Sequence, residues 1–394
     1  MASMRRKLAW GVLLLFVPPV GGAAFDAGRR EGGSSALPVA ANAGGVVEGR
    51  RDRGSIALLD ATTGEETAHL AANGPVVTAI ADGLGGWFVG GSFTRLGTHR
   101  RVALAHVLAS GFVDPAWRAS IGSASGRPVA VHALARAGSR LFVAGPFGRV
   151  GGLHRPGLAA VDATTGVVTR SWSPTPRSWP DTQALLVSGP RLLVARQSGY
   201  PTPGITALDV RTGAVDRAWD ARLLLIGDAG SFNTLLLRGS RLFVAGSFRV
   251  AGLPRNGLVA VDAHSGAPDR RFAPRVPNCS VCNGFSVLYG LAASDRRLYI
   301  SGHFEQIAGV SRKGVAVLNP RTGAVDLGWR PARGSRDVLR LALVGSRLYL
   351  GGMSGLYALD ARTGAVVRLP RIDSPRHVLS LVISGRQLLV AGRD

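Results

Sequence analysis

The sequence contains little cysteine, little lysine and few aromatic residues. Two of its 394 residues are cysteine, which excludes a disulfide framework and a multi-cysteine zinc module. Only 6% are aromatic, and neither a basic helix nor an aromatic strand motif of an RNA-binding domain is visible, which argues against nucleic-acid recognition. Lysine occurs only as Lys7 and Lys313, so arginine carries nearly all of the formal net charge of +23.

Sequence motifs for catalysis and for metal binding are also missing. The eight histidines include no His-x-His or His-Glu-x-x-His pair. The chain has no Gly-x-Ser-x-Gly elbow, phosphate-binding loop or calcium-binding loop. The sequence therefore offers no catalytic residue, no metal ligand set and no cofactor site, and it favours a protein that is not an enzyme.

What the sequence does contain is a repeated hairpin. The segment 348–367, LYLGGMSGLYALDARTGAVV, reads as a strand, a turn, a second strand and a tight Asp-x-x-Thr-Gly hairpin. The aspartate can accept hydrogen bonds from the amides of the turn, and the glycine can take the positive φ that closes it. The same pattern, with asparagine or serine at single places, recurs at 60–64, 162–166, 209–213, 262–266 and 319–323.

With a further unit near Arg101 that lacks this turn, the repeat has seven copies, and a second hairpin that precedes it has seven copies as well. Two clear copies are VHALARAGSRLFVAGPF at 131–147 and FNTLLLRGSRLFVAGSF at 232–248. Seven copies of each half predict an all-β, seven-bladed β-propeller with four-stranded blades. The chain starts with a second half at 55–70 and ends with a first half at 378–392. We expect these two orphan hairpins to complete one blade together, in a two-plus-two closure that leaves no open edge.

The first 53 residues precede the repeats. Three basic residues at 5–7 are followed by an apolar run at 8–20 and by small residues up to position 24, which is typical of an export signal. The run contains two prolines and is shorter than the about 20 residues of a membrane-spanning helix. We expect 1–24 to be a signal peptide, 25–53 a flexible leader and 54–394 the propeller. The protein is then secreted or extracytoplasmic, without a transmembrane segment after signal cleavage.

The repeated unit resembles the blades of the delta-60-repeat β-propeller family. A blade of that family reads as an apolar strand ending in Leu-Val-Gly-Gly-x-Phe, a loop ending in Gly-x-x-Arg, a Leu-Ala-x-Leu-Asp strand and a final Asp-x-x-Phe. The segments 142–172, 243–272 and 299–329 match it best. LYALDARTGAVV at 356–367 is more similar to the repeats of pyrroloquinoline-quinone-type, quinoprotein-like propellers. The resemblance implies the propeller fold and is nearly silent on activity.

Four loops between the two halves carry the candidate binding residues. Each has a phenylalanine, then a glycine, and an arginine seven or eight residues after the phenylalanine; the arginines are Arg100, Arg155, Arg255 and Arg312, and His99 and His154 precede the first two. On one face of a ring, these guanidinium groups would be able to bind carboxylates or phosphates. The alternative is that each arginine ties its own loop by binding backbone carbonyls, which the repetition favours.

Other conspicuous residues receive structural interpretations. In an exported protein, Cys279 and Cys282 most simply form one local disulfide. Five aromatic residues occupy one repeated position, which predicts packing between blades; they are Trp117, Trp172, Trp219, Phe272 and Trp329. The repeated aspartates predict turns rather than paired catalytic carboxylates.

The strong positive charge has two interpretations, GC-rich codon usage or attraction of an anionic partner. We predict a secreted, monomeric, non-catalytic binding or structural module for a protein or an anionic polymer at the cell surface. The alternative is a degenerate quinoprotein-like or lyase-type propeller enzyme with a site over the central channel.

Overall fold

The computed structural model describes residues 53–123, 126, 128–174, 179, 182–196, 204–219, 221, 231–249, 256–277, 279, 286–332 and 337–394. The predicted signal peptide, and all of the predicted leader except residue 53, lie outside the described residues. In the described part every regular element is a β-strand. No helix there is long and apolar enough to cross a membrane.

The described chain forms thirty strands. The first ten are β1 Gly54–Asp60, β2 Glu66–Ala72, β3 Val76–Ala81, β4 Trp87–Gly91, β5 Arg95–Leu96, β6 His99–Arg100, β7 Leu104–Val107, β8 Ile121–Gly122, β9 Ala133–Ala137 and β10 Arg140–Ala144. The next ten are β11 Arg149–Val150, β12 Leu153–His154, β13 Leu158–Asp162, β14 Thr182–Ser188, β15 Arg191–Arg196, β16 Ile205–Asp209, β17 Ser231–Arg238, β18 Arg241–Arg249, β19 Asn256–Asp262 and β20 Val287–Ala293. The last ten are β21 Leu298–His303, β22 Gln306–Ile307, β23 Val310–Ser311, β24 Val315–Leu318, β25 Val338–Val344, β26 Arg347–Gly352, β27 Gly355–Asp360, β28 Val366–Val367, β29 His377–Ser384 and β30 Gln387–Arg393.

Consecutive hairpins build seven main antiparallel sheets. In order they are sheet 1 (β3-β4-β7), sheet 2 (β9-β10-β13), sheet 3 (β14-β15-β16), sheet 4 (β17-β18-β19), sheet 5 (β20-β21-β24), sheet 6 (β25-β26-β27-β28) and sheet 7 (β29-β30-β1-β2). Short ribbons (β5-β6, β8-β11-β12 and β22-β23) lie in the connections. The ribbon β5-β6 joins sheet 7 through the single pair of Ala72 with Leu96.

Side-chain hydrogen bonds explain why the hairpin turns form where the repeat places them. Oδ1 of Asp162 accepts hydrogen bonds from the N–H groups of Thr164 at 3.0 Å and Thr165 at 2.9 Å. Gly166 closes the turn at a φ of 79°. The same pair of bonds forms at Asp60, Asp209, Asp262, Asn319 and Asp360. The prediction that these residues shape turns is confirmed.

The prediction of four-stranded blades is wrong for sheets 1 to 5, which have three strands each. A single bridge replaces the fourth strand in each of them: Val107 with Val113, Val161 with Val168, Leu208 with Val215, Val261 with Pro268 and Leu318 with Val325. In four cases an aspartate follows directly and accepts a hydrogen bond from the amide two residues further on, at Asp114, Asp216, Asp269 and Asp326. Because that bond starts a turn, the chain leaves the sheet after one paired residue.

The first and last strands of the described chain pair with each other. β1 runs antiparallel to β30, with Ile56 opposite Ala391 and Asp60 opposite Gln387. The Asp394 N–H donates to the Arg53 carbonyl at 3.0 Å. Sheet 7 therefore combines two strands from each end of the described chain.

The apolar core lies between neighbouring sheets. Seven clusters of described residues each combine side chains from two consecutive sheets, and one of the seven joins sheet 7 to sheet 1. The five aromatic residues of the repeated outer position are all buried. Trp117 Nε1 donates to the Ala163 carbonyl of the next sheet at 2.9 Å, and Trp219 Nε1 does the same to Ala263 at 3.1 Å. The prediction that these rings pack between blades is confirmed.

The first strand of each sheet forms an inner row. β3, β9, β14, β17, β20, β25 and β29 each contact the next of these strands, and β29 contacts β3. The inner row brings residues from all seven sheets close to one another, and it frames the central part of the candidate site.

Candidate functional site

Two of the predicted loop arginines, Arg155 and Arg312, each bind one backbone carbonyl of their own loop and one of a later segment. Arg155 donates from Nη1 to the His154 carbonyl at 3.1 Å and from Nη2 to the Arg170 carbonyl at 3.3 Å. Arg312 makes the equivalent bonds, to the Ser311 carbonyl at 3.0 Å and the Trp329 carbonyl at 3.3 Å. This geometry favours the structural interpretation of the repeated arginine. Arg255 lies outside the described residues.

In the first loop the structural arginine is Arg101, one residue after the predicted Arg100. Arg101 is 6% exposed and donates to the Arg100 carbonyl at 2.9 Å and the Asp114 carbonyl at 2.8 Å. Arg100 is exposed and lies on β6, opposite Arg95 of β5. The assignment of Arg100 as the equivalent of Arg155 and Arg312 is therefore wrong, because the side chain that matches them eight residues after the phenylalanine is that of Arg101.

The two predicted histidines lie in separate ribbons. His99 is half-buried on β6, and its Nδ1 is 3.4 Å from Thr98 Oγ1. His154 is exposed on β12, opposite Arg149 of β11. His154 and Arg155 together border an open cleft of about 400 Å³ at the surface, with Arg170 on its rim. The structure thus joins one predicted histidine and one predicted arginine, whereas Arg100 and Arg312 belong to loops of other sheets.

A set of equivalent residues near the start of the inner strands was not recognised from the sequence. In six sheets, one residue near the start of the first strand has no partner on the second strand, because the register shifts there. In sheet 2, the residue at the same position of the repeat directly precedes β9. We call these seven the bulge row: Val77, His132, Gln183, Asn233, Tyr289, Leu339 and Leu379. All seven are at most 7% exposed. Val77, Tyr289, Leu339 and Leu379 come from four different sheets and yet form one apolar cluster, so the row converges in the middle of the molecule.

The bulge row is apolar on one side and polar on the other. Sheets 2, 3 and 4 contribute His132, Gln183 and Asn233. Burial lowers the pKa of His132 to about 4, so its imidazole is neutral at pH 7, and its Nε2 has no hydrogen-bond partner. Asn233 donates from Nδ2 to the Leu288 carbonyl at 2.9 Å, while its Oδ1 has no partner. Buried polar atoms without partners are rare, so these two atoms distinguish the polar part of the row from its apolar part.

Directly after the bulge row, sheet 6 carries a buried arginine. Arg340 is 4% exposed, and it donates from Nη1 to the Leu339 carbonyl at 2.8 Å. Its Nε and Nη2 have no hydrogen-bond partner. Burial lowers the pKa of Arg340 to about 9, which still leaves the guanidinium cationic at pH 7. In the other sheets the equivalent residue is small, namely Thr78, Ala133, Ala184, Thr234, Gly290 and Ser380.

A second charged cluster lies in sheet 1. The Nδ1 atom of His106 lies 2.9 Å from Asp114 Oδ2, and its Nε2 atom lies 3.0 Å from Asp82 Oδ2. Phe88 stacks on the imidazole at 4.6 Å between ring centroids. Burial would raise the pKa of Asp82, but hydrogen bonds from Leu84, His106 and Gly86 outweigh it, so that pKa lies below its usual range. Both imidazole nitrogens lie within hydrogen-bond distance of a carboxylate, so this group of residues, which we call the His106 cluster, links three segments of sheet 1.

Cys279 is buried and disulfide-bonded. Its only possible partner within the chain, Cys282, lies outside the described residues, so the predicted pairing stays a prediction. Among the described residues, no group of three histidine, cysteine or acidic side chains is placed to hold a metal ion.

No family model matches the chain, and no curated protein matches it in sequence. Solved structures resemble it at low identity. The computationally designed protein Ika8 is 13% identical, with a TM-score of 0.48 over 88% of this chain and 95% of that chain. BamB from Moraxella catarrhalis is 17% identical, with a TM-score of 0.40 over 80% of this chain and 90% of that chain. The WD40 β-propeller domain of Doa1 is 9% identical, with a TM-score of 0.46 over 80% of this chain and 92% of that chain. Such scores say nothing of ligand, partner or activity, and the delta-60-repeat and quinoprotein-like resemblances stay predictions.

Proposed function

We propose that the chain is an exported, seven-bladed β-propeller that acts as a non-catalytic binding or structural module at the cell surface. Three features support the ring: the apolar clusters between all consecutive sheets, the contact of β29 with β3, and the pairing of β1 with β30. The proposed partner is an anionic polymer or an acidic protein surface, because the net charge is +23.

One observation on the surface carries this proposal. Arg95 and Arg100 lie directly opposite each other on the ribbon β5-β6, and both are exposed. Like charges opposite each other on neighbouring strands are destabilising. Neither side chain has a hydrogen bond or an ion pair with any residue that the structure describes, so we infer that the pair lowers the stability of the ribbon unless an anion lies between the two guanidinium groups.

The next ribbon extends the same positive surface. Arg149 of β11 is exposed, and its Nη1 donates to the Gly152 carbonyl at 3.0 Å. Arg170 is exposed at the rim of the cleft beside His154. The ribbons β5-β6 and β11-β12 follow the second strands of the neighbouring sheets 1 and 2, and we propose that together they bind a polyanion; we call them the basic ribbons.

The proposal is tested by binding to heparin over a range of salt concentrations. The variant Arg95→Gln/Arg100→Gln is compared with Arg321→Gln/Arg362→Gln, a matched control that removes two exposed arginines from hairpin turns of sheets 5 and 6. We expect the ribbon variant to bind more weakly and to reduce the slope of log K against log salt by roughly 2, because two ion contacts are lost. The control should retain the wild-type slope.

Equal weakening of both variants would mean that only the net charge matters, and the basic ribbons would then be no site. Retention that does not depend on salt would contradict an electrostatic partner altogether. Export is tested separately, by mass spectrometry of the mature N-terminus in the extracellular fraction, where the expected cleavage lies near residue 24.

A further inference from the structure

We propose that two adjacent turns of sheet 1 insert their apolar side chains into the surface of a phospholipid bilayer. The first turn, 82–86, joins β3 to β4, and the second turn, 108–112, follows β7. The strand β4 leads from the first turn to the ribbon β5-β6, so the two surfaces lie at opposite ends of this strand. The proposed lipid contact is therefore separate from the basic ribbons and does not rest on them.

Three apolar side chains of these turns face solvent. Leu84 is 88% exposed, Phe112 is 71% exposed and Leu108 is 36% exposed. The two turns are in contact, because a Cβ added at Gly85 would lie 3.1 Å from the Cβ of Ala109. Single exposed apolar residues are ordinary, whereas a group of them at one place marks a contact surface.

Both turns depart from the repeat. Ala81 pairs with Trp87, which leaves five residues in the first turn, whereas this turn has two residues in sheets 2, 3, 4, 6 and 7 and four in sheet 5. In the second turn, Leu108 stands where the other sheets have an aspartate or an asparagine. Phe112 stands where they have Glu65, Val167, Ala214, Ala267, Ala324 and Ala365. Packing of the repeated unit therefore does not require these side chains.

The His106 cluster supports both turns. Asp82 opens the first turn, and its Oδ1 accepts hydrogen bonds from two amides of that turn at 2.7 and 2.8 Å. Asp114 follows the second turn, and the imidazole of His106 lies between the two carboxylates. The residues equivalent to His106 in the other six sheets are apolar, namely Leu58, Ala160, Ala207, Ala260, Val317 and Ala358. Sheet 1 alone thus holds its turns in this way, and a turn that is already ordered loses less entropy on binding.

A guanidinium group lies beside the first turn. A Cβ added at Gly83 would lie 3.0 Å from Nη1 of Arg136, which belongs to β9 of sheet 2. Arg136 has no hydrogen bond or ion pair with any residue that the structure describes. A guanidinium in this position can bind the phosphate of a lipid headgroup, and the net charge of +23 attracts the chain to an anionic membrane.

The second turns of the other sheets limit the contact to sheet 1. In each of them, the carbonyl after the turn-opening residue accepts a hydrogen bond from a side chain that belongs to the preceding sheet or directly follows it. The accepting residues are Ala61, Ala163, Val210, Ala263, Pro320 and Ala361. These turns therefore form a row that continues from sheet 1, and their Asp-x-x-Thr-Gly sequences are polar. We expect a peripheral contact in which the turns of sheet 1 enter the bilayer and the polar row stays in water.

The size of the apolar surface favours a bilayer over a second protein. A stable protein interface buries about 800 Å² on each partner, and three side chains supply much less. A bilayer needs no matching surface, because each apolar side chain that reaches the acyl region contributes separately. An arginine beside these side chains can keep its charged end among the headgroups.

The first test is cosedimentation of the full chain with vesicles. Vesicles of phosphatidylcholine are compared with vesicles of phosphatidylcholine and phosphatidylglycerol in equal parts. We expect Leu84→Ser to weaken binding to both by roughly fivefold or more, because a buried leucine contributes to partitioning on any lipid. Leu327→Ser removes a leucine that is 62% exposed in sheet 5, and this matched control should bind as the wild type does. Arg136→Gln should weaken binding to the mixed vesicles by roughly fivefold.

A second measurement reports on the turn itself, because the apolar run at 8–20 of the full chain can also bind lipid. The environment-sensitive fluorophore NBD is attached to Leu84→Cys and, as the control, to Leu327→Cys. With mixed vesicles, the emission of the probe at position 84 should move to shorter wavelength, and lipids with a doxyl group on the acyl chain should quench it. The probe at position 327 should show neither effect.

An unchanged emission from the probe at position 84, or equal binding of Leu84→Ser and Leu327→Ser to vesicles, would overturn the proposal. If Arg95→Gln/Arg100→Gln loses vesicle binding while the probe at position 84 stays silent, the basic ribbons rather than the turns contact lipid, and the proposal is wrong. Heparin binding separates the two surfaces, because Leu84→Ser should leave it unchanged.

Discussion

At the scale of single residues, two adjacent arginines have opposite roles. Arg101 is buried and binds two backbone carbonyls of its loop, whereas the side chain of Arg100 is exposed. We predict that Arg101→Ala lowers the free energy of unfolding by about 2 kcal/mol, because charge-assisted hydrogen bonds to buried carbonyls are lost. Arg100→Ala should change it by less than about 0.5 kcal/mol. Urea denaturation of both variants measures the difference, and equal losses would contradict the loop-tying role.

The sequence identified the arginine of this loop to within one residue. The spacing from phenylalanine is eight residues at Phe147 and Phe304, but Phe93 is followed by arginines at both seven and eight. Only the burial of the side chain decides between them, and burial follows from the packing of the loop on the hairpin around Asp114. The repeat pattern therefore predicts that an arginine of this loop binds backbone carbonyls, but only the packing of the loop shows that this arginine is Arg101.

The two carboxylates of the His106 cluster predict a dependence of stability on pH. Burial would raise the pKa of Asp114, but hydrogen bonds from His106, Ala116 and Trp117 lower it overall, as at Asp82. Carboxyls with a lowered folded-state pKa stabilise the fold above the unfolded pKa of about 4, and this contribution is lost as the pH falls through the folded pKa. His106→Gln removes the imidazole that lies within hydrogen-bond distance of both carboxylates, so we expect a loss of about 3 kcal/mol at pH 7.

The loss caused by His106→Gln should shrink as the pH falls below about 4, because the stabilisation by the two carboxylates is lost as they become protonated. Urea denaturation at pH 7, 5 and 3 measures it, with the exposed His264→Gln as the control. A loss that is the same at pH 7 and pH 3 would show that stacking on Phe88, rather than charge, accounts for the stabilisation.

At the scale of elements, the hairpins do more than connect strands, because the tip at Gly166 in sheet 2 contacts the segment that follows sheet 1. An added Cβ at Gly166 would lie 2.6 Å from the Arg118 carbonyl group of that segment, whereas at Gly138 it would meet nothing within 4 Å. Both glycines have a positive φ, at 79° and 57°. Gly138→Ala should therefore lose about 1 kcal/mol from the strained backbone alone, and Gly166→Ala about 3 kcal/mol, because the clash is added. Urea denaturation measures both losses. Equal losses would show that the clash with the Arg118 carbonyl group adds nothing to the free energy of unfolding that is lost.

Elements that recur were predictable from the sequence, and elements that do not recur were not. Turn aspartates and apolar alternation placed the hairpins, because each is a local rule that every copy repeats. The prediction of a fourth, outer strand was wrong for sheets 1 to 5. In four of these sheets an aspartate such as Asp114 accepts a hydrogen bond that starts a turn, and the turn ends the pairing. Arg340 is visible in the sequence, but its burial depends on the packing of several sheets and could not be predicted from the repeat.

At the scale of the whole molecule, the ends of the described chain meet. The Arg53 carbonyl accepts a hydrogen bond from the Asp394 N–H at 3.0 Å, and Ser55 Oγ donates to Asp394 Oδ1 at 3.0 Å. The order of half repeats in the sequence predicted that the two orphan hairpins share a sheet. Their register was not predictable, because it follows from the facing side chains of β1 and β30, such as Leu58 opposite Leu389.

If the seven sheets form a closed ring, the chain ends can be moved to a position between two other sheets. A circular permutant should therefore fold. Residues 127–394 are joined through six glycine and serine residues to 53–126, so that the linker turns β30 and β1 into an ordinary hairpin. We expect a single cooperative transition with a midpoint equal to or above that of 53–394, because the linker removes the entropy of closing sheet 7. Deletion of 53–72 removes β1 and β2 and exposes the edge of β30, so this variant should aggregate. Light scattering measures the aggregation, and urea denaturation measures the cooperativity of unfolding. Closure through sheet 7 would be contradicted if the deletion variant stayed soluble and unfolded cooperatively, or if the permutant unfolded in two steps.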